Sequence, residues 1–220
     1  MKKCIFLLLL GTPVACFAQK HQWTVGLQAH TGFTTVNNLY TTNDHFLAYG
    51  LGVQALCSIN QHWQWGAAIQ YSFDPHSGLV DFRDNTDVPF YYHFTVKPHF
   101  LRVPVQIRHN WGKVSQKLRP YAYLALIPGY HTDKKGAKVM YSSMDTYTEQ
   151  WIQKTNPYNR MELSVAAGTG VSFQLSSKLR LNTEIYFAQG MNDIGDFSQG
   201  QPSYNYQQQL KLQSGIFYDF

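Results

Sequence analysis

The sequence predicts an all-β fold: one eight-stranded antiparallel up-and-down transmembrane β-barrel behind an export signal. Three observations carry this. Apolar and polar residues alternate with period two in eight stretches, the pattern of strands whose two faces meet different surroundings. The connections between these stretches alternate between short and long, as in outer-membrane barrels. The chain holds 15% aromatic residues yet has a mean hydropathy of −0.31. Beyond the N-terminus, no segment approaches the run of about 18 apolar residues that a membrane helix needs.

The N-terminus reads as a secretory signal over residues 1–18. Lys2 and Lys3 supply the basic start, Cys4 to Leu10 a short apolar core, and Gly11 to Pro13 the break. Small residues at Ala15-Cys16-Phe17-Ala18 suit cleavage after Ala18. A lipidated Cys16 is the alternative, although Pro13 stands where that motif wants a branched aliphatic residue. Residues 19–220 then form one barrel domain. Cleavage lowers the formal charge of +5 by two. With no Lys/Arg-rich run, nucleic acid is not an expected partner. Of the three cysteines, Cys57 alone stays in the mature chain, so no intramolecular disulfide can form.

The eight strands are expected at about residues 22–31, 47–59, 63–73, 95–111, 120–130, 160–175, 179–188 and 206–220. In the first, Trp23, Val25, Leu27 and Ala29 oppose Gly26, Gln28 and His30. In the second and third, Tyr49, Leu51 and Val53, then Trp65, Ile69 and Tyr71, oppose glycines and glutamines. In the fourth, Leu101, Val103, Val105 and Ile107 oppose Arg102, Pro104, Gln106 and Arg108. The fifth is expected to turn Tyr121, Tyr123, Ala125 and Ile127 outward. In the sixth, Leu163, Val165, Ala167, Val171 and Phe173 oppose Glu162, Ser164, Gly168 and Gly170. In the seventh, Leu181, Ile185 and Phe187 oppose Arg180, Asn182 and Glu184. In the eighth, Leu210, Leu212, Ile216, Tyr218 and Phe220 oppose Lys211, Gln213, Gly215 and Asp219.

Short turns follow the even strands. Long loops, at about residues 32–46, 74–94, 131–159 and 190–205, follow the odd ones. An even strand number puts both termini on the short-turn side, which in an outer membrane is the periplasm. Aromatics near strand ends, such as Trp63, Trp111 and Tyr218, suit the lipid headgroup level.

A charge facing lipid at mid-depth costs about 2–4 kcal/mol. The polar faces therefore belong inside. Arg102, Arg108, Glu162, Arg180, Glu184, Lys211 and Asp219, joined by Gln54, Gln64, Gln70, Gln106 and Gln213, are expected to form an interior polar network. An eight-stranded barrel is just wide enough to be filled by such side chains. A soluble, lipocalin-like barrel is the competing reading. It would reverse the faces, with Val103 and Ile107 inside and Arg102 and Arg108 in solvent.

The chain ends Gln213-Ser214-Gly215-Ile216-Phe217-Tyr218-Asp219-Phe220. Gln213, Gly215, Tyr218 and Phe220 in that spacing resemble the signal read by the outer-membrane barrel assembly machinery. Phe100-Leu101-Arg102-Val103-Pro104-Val105 resembles the "Y-L-x-I-P" strand of the PorT-like outer-membrane β-barrel family. Arg119-Pro120-Tyr121 with Pro128-Gly129-Tyr130 resembles its next strand. Val165 to Phe173, then Leu179 to Gly190 with Asn192-Asp193-Ile194, resembles its penultimate hairpin. The resemblance implies an eight-stranded barrel in the outer membrane of a Gram-negative-type bacterium. The family's named member takes part in protein secretion, so secretion or envelope-assembly proteins are candidate partners beside lipid and the assembly machinery.

Chemistry is sparse. Nine histidines are scattered without metal-site spacing or cysteine partners, so no metal and no cofactor is expected. His76-Ser77 in a long loop lacks the third, orienting group of a hydrolase. No catalytic residue is assigned. A lipid-modifying barrel enzyme stays as an alternative. The loop residues Tyr91, Tyr92, Tyr141, Tyr147, Trp151 and Tyr158 suit surface recognition, and Asp133-Lys134-Lys135 reads as a solvated loop tip. The expected role is that of a non-enzymatic, monomeric barrel that is structural or binds partners through its outer loops.

Overall fold

The computed structural model describes residues 22–37, 41–44, 46–83, 89–132, 139–143, 146–152, 160–192 and 206–220. The expected signal segment, Asp133-Lys134-Lys135, Tyr158 and Asp193-Ile194 lie outside them. So do the side chains of residues 37–46, 76–96 and 139–152, which include His76-Ser77 and the remaining loop aromatics.

Eight strands close into an antiparallel barrel. They are β1 (Trp23–Asn37), β2 (Phe46–Ser58), β3 (Trp63–Phe73), β4 in two parts (His99–Arg102 and Val105–Asn110), β5 (Leu118–His131), β6 (Met161–Gln174), β7 (Leu179–Gly190) and β8 (Tyr206–Asp219). Each pairs with its neighbours in sequence, and β8 returns to β1 with Thr24 opposite Asp219 and Asn37 opposite Tyr206. This closure leaves no sheet edge, which a strand in hydrocarbon cannot tolerate. β4 is split where Pro104, lacking an N–H, interrupts the ladder. Its carbonyl still accepts from Ala68 N–H at 2.9 Å, and Val103 N–H donates to the Pro128 carbonyl at 2.9 Å.

The structure extends β1 beyond the expected boundary and builds additional strands from regions read as loops. Thr41–Asp44, His76–Arg83 and Pro89–Val96 form a three-stranded sheet. Val139–Ser143 pairs with Thr146–Ile152. Residues 95–96, expected to begin β4, pair instead with residues 76–77. The Lys97-Pro98 break separates them from the barrel strand, since Pro98 cannot donate to a ladder.

The two faces separate as lipid and interior require. Leu27 and Leu51 are each 68% exposed on the outside, whereas Arg102 and Arg108 are each 2% exposed within. Val103 and Ile107 also point out. This excludes the lipocalin-like alternative, which needs the reverse. Aromatic clusters mark both ends of the outer face. Trp63 and Trp111 each make edge contacts with His109 near the short turns, and Phe73 and His99 sit together near the loops. His99 and His109 thus lie in the aromatic rims, where amphipathic rings suit the headgroup level.

β5 corrects one expectation. Tyr121, Tyr123, Ala125 and Ile127 face inward, and Leu124 and Leu126 face outward. Both alternating sets on this strand are apolar or aromatic, so alternation alone gave no direction. The neighbouring strand decides. A Cβ at Gly168 would lie 2.6 Å from the Tyr123 ring, and one at Gly170 would lie 2.8 Å from the Tyr121 ring. These glycines are the floor on which the two inward rings lie.

Placing a cation on the corrected outer face tests this parity. Leu124→Arg is expected to cost about 2–4 kcal/mol, as for a charge facing lipid at mid-depth. Reversible denaturant unfolding in lipid vesicles measures it. An unchanged stability would contradict the outward placement of Leu124.

Candidate functional site

The inner face carries charge at three heights, set by the register of β7 and β8. Arg180 stands opposite Phe217, next to the short turns; Glu184 stands opposite Gln213; Tyr186 stands opposite Lys211, closer to the loops.

At the short-turn height, Arg180 Nε donates to Asp219 Oδ2 at 2.6 Å, and Thr24 Oγ1 donates to Asp219 Oδ1 at 2.6 Å. Thr24 belongs to β1 and Asp219 to β8, so this group ties the closing strands.

At the middle height, Glu184 gathers four partners. Tyr121 Oη donates to Oε2 at 2.7 Å, Tyr123 Oη to Oε1 at 2.9 Å, and Gln213 Nε2 to Oε1 at 2.7 Å. Arg108 Nη2 lies 3.3 Å from Oε2, with its guanidinium 3.9 Å from the centre of the Tyr121 ring. Gln213 Nε2 also donates to Gln28 Oε1 at 3.0 Å, and its Oε1 accepts from Gln70 at 3.1 Å. One carboxylate thereby links β4, β5, β7 and β8. Such charge-assisted bonds are stronger than neutral ones, and in a site of low dielectric each lost partner is costly.

At the loop height, Arg102 bridges two carboxylates. Its Nη1 donates to Asp74 Oδ2 and its Nε to Glu162 Oε1, while Nη2 donates to Gln207 Oε1 at 3.0 Å. Lys211 Nζ donates to Asp74 Oδ1 at 2.9 Å and to Ser72 Oγ at 3.1 Å. Ser72 Oγ in turn donates to Asp74 Oδ1 at 2.7 Å, and His30 Nε2 lies 3.1 Å from Ser72 Oγ. Four charges of alternating sign are packed here: Arg102, Lys211, Asp74 and Glu162.

The seven charged residues expected inside therefore fall into three separate groups: Arg180 with Asp219, Arg108 with Glu184, and Arg102, Glu162 and Lys211 around Asp74. Gln54, Gln64, Gln70, Gln106 and Gln213 are buried as well. Asp74 escaped the sequence reading because it follows Phe73, where the strand was expected to end. Continuing the inward set Gln70, Ser72 by one more step would have found it. Tyr121 and Tyr123 were missed through the parity of β5, and Arg119 because the strand was expected to begin at Pro120.

Of the four residues in the C-terminal signal pattern, Gln213 and Gly215 are on the inner face, and Tyr218 and Phe220 are exposed on the outer face. The Tyr218 and Phe220 rings meet edge-on at 5.0 Å, and Phe220 N–H donates to the Trp23 carbonyl at 2.9 Å. Among the described residues, no group of three or more His, Cys, Asp or Glu side chains converges to hold a metal ion.

A closed eight-stranded barrel with an apolar outer band and an ion-paired interior is an outer-membrane β-barrel protein. The sequence profile of the outer membrane protein beta-barrel domain matches residues 17–196, and the chain belongs to that family. Two solved structures share the fold. Neisserial surface protein A (NspA) is 11% identical, with a TM-score of 0.52, over 90% of this chain and 97% of that one. OprG from Pseudomonas aeruginosa is 11% identical, with a TM-score of 0.50, over 90% of this chain and 95% of that one. A comparison of the sequence with curated proteins returns no match.

Substitution at Glu184 tests the middle group. Glu184→Ala leaves Arg108 buried without its counter-charge and is expected to destabilise the barrel by about 3–5 kcal/mol. Glu184→Gln keeps hydrogen-bonding atoms for both tyrosines and should cost less. Denaturant unfolding in vesicles ranks the two, and equal costs would show that the carboxylate charge is immaterial.

Proposed function

We propose that this protein is a non-enzymatic outer-membrane barrel with a structural or interaction role. Its interior is plugged by polar side chains, and its long outer loops form the recognition surface. The observation that carries this reading is the Arg102 group. A guanidinium held between two buried carboxylates, beside an ammonium on the same Asp74, occupies the lumen at this height. The Glu184 group below it adds a second obstruction. The same engagement supports a non-enzymatic role, because Asp74, Glu162 and Glu184 are each committed to cations or phenols inside the wall.

In this reading residues 1–18 are removed on export, both termini lie in the periplasm, and the loops face outward. The end of β8 serves assembly, with Tyr218 and Phe220 presented to the assembly machinery. The folded barrel acts as a monomer.

Planar-bilayer recordings on the purified full chain test the plug. No porin-like conductance is expected. A steady open channel would overturn the reading.

A second reading, a PorT-like component of a secretion or envelope-assembly complex, is favoured by the Phe100–Val105 motif, whose Pro104 divides β4. Pull-down of the tagged chain from detergent-solubilised envelope separates the two. Specific co-purification of secretion proteins would support the complex; recovery of the barrel alone would support the first reading.

A further inference from the structure

Below the Glu184 group, at the short-turn end, the lumen opens into a cavity of about 520 Å³. Thr24, Gln61, Gln64, Asn110, Arg119 and Arg180 are among the residues that line it. Its walls are mostly amides, hydroxyls and two guanidiniums, with Ile59 and Val114 as apolar exceptions, and the two guanidiniums are held differently.

Arg180 is neutralised by Asp219. Arg119, on the inner face of β5, is 5% exposed. Its Nη2 donates to the backbone carbonyl of Gln61 at 2.7 Å, a neutral acceptor. Its Nε has no hydrogen-bond partner among the described residues, and no described carboxylate pairs with it. The other inward cations, Arg102, Arg108, Arg180 and Lys211, each have a carboxylate. Arg119 alone among these five is left with uncompensated charge. The register brings the two arginines to one region: Arg119 stands opposite Ser172 on β6, and Ser172 stands opposite Asn182 on β7, two residues from Arg180.

A buried cation without a counter-charge is costly, and proteins ordinarily pair it. Here Arg119 lines open volume, and no described carboxylate neutralises it there. The planar fork of an arginine matches the two oxygens of a carboxylate or phosphate. We propose that the cavity binds a small oxyanion, a carboxylate or phosphate group entering from the short-turn end. Arg119 is the direct ligand, and Arg180 adds attraction from beside it. Asp219 cancels Arg180 but not Arg119, so the site keeps one net positive charge. That charge suits a singly charged group better than a neutral solute.

Isothermal titration of the refolded full chain in detergent, at low salt, tests the site with inorganic phosphate and separately with acetate. Saturable binding of at least one anion is expected. A response to phosphate alone assigns a phosphoryl source, and a response to acetate alone assigns a carboxyl source. Arg119→Gln is expected to weaken binding about tenfold, the loss of one charge-assisted hydrogen bond. Arg180→Gln should weaken it by less, and Lys178→Gln, in the exposed β6–β7 turn, should leave it unchanged. Heat-modifiable gel migration confirms that each variant is folded. If Arg119→Gln does not fold, isotope-edited NMR of the arginine Nε–H groups in the unaltered protein replaces it, and one resonance should shift saturably with the anion. Absence of saturable binding by either anion overturns the proposal. So does binding that is unchanged in both arginine variants, or the absence of any shifted Nε–H resonance.

Discussion

Hydrocarbon offers no partner to a backbone N–H or carbonyl, and each one left bare costs several kcal/mol. A chain that crosses by strands must therefore bring its last strand back to its first. Here β8 meets β1 along the full length from Thr24 and Asp219 to Asn37 and Tyr206. The seam is reinforced at its lower end, where Thr24 and Arg180 share Asp219 and Phe220 N–H reaches the Trp23 carbonyl. The even strand number, the alternation of faces and the crowded lumen all follow from that closure.

Closure creates a second requirement. Eight strands enclose a space that their own side chains must fill, and whatever faces inward is cut off from both lipid and bulk water. Most of the inward charges meet this by pairing. Arg102 spans Asp74 and Glu162, Lys211 shares Asp74, and Arg108 meets a Glu184 already held by two phenols. Glycines opposite bulky rings make the packing sterically feasible, as Gly168 and Gly170 do beneath Tyr123 and Tyr121. The lumen is thus divided by height, with the Asp74 and Glu184 groups towards the loops and middle, and a polar cavity holding Arg119 beside the Arg180–Asp219 pair towards the short turns.

Much of this was legible in the sequence where the two faces differ in chemistry. On β4, arginines alternate with aliphatics, and the inside and outside were readable at once. On β5 they were not, because Tyr121, Tyr123 and Ile127 are as apolar as Leu124 and Leu126. The direction of that strand depends on residues distant in sequence: Gly168 and Gly170, which leave room for the two rings, and Glu184, which accepts from their phenols. Asp74 was hidden for a different reason: it lies past the last aromatic of β3, where a hydrophobic pattern stops although the ladder's inward series does not. The extra strands at Thr41–Asp44, His76–Arg83 and Pro89–Val96 pair with each other in a sheet separate from the barrel sheet and, residues 95–96 apart, lie outside the alternating stretches that mark the barrel strands.

The sequence by itself determined the all-β class, the number of barrel strands, the membrane-facing orientation and most of the inward residues. These depend on local alternation and on the free energy of moving single side chains between lipid and a polar interior, both of which are written along the chain. Tertiary structure alone decided which inward charges meet, which face of β5 points to the lumen, and that Arg119 meets no carboxylate among the described residues. Those outcomes depend on register between strands far apart in sequence, and register is settled only when the sheet closes.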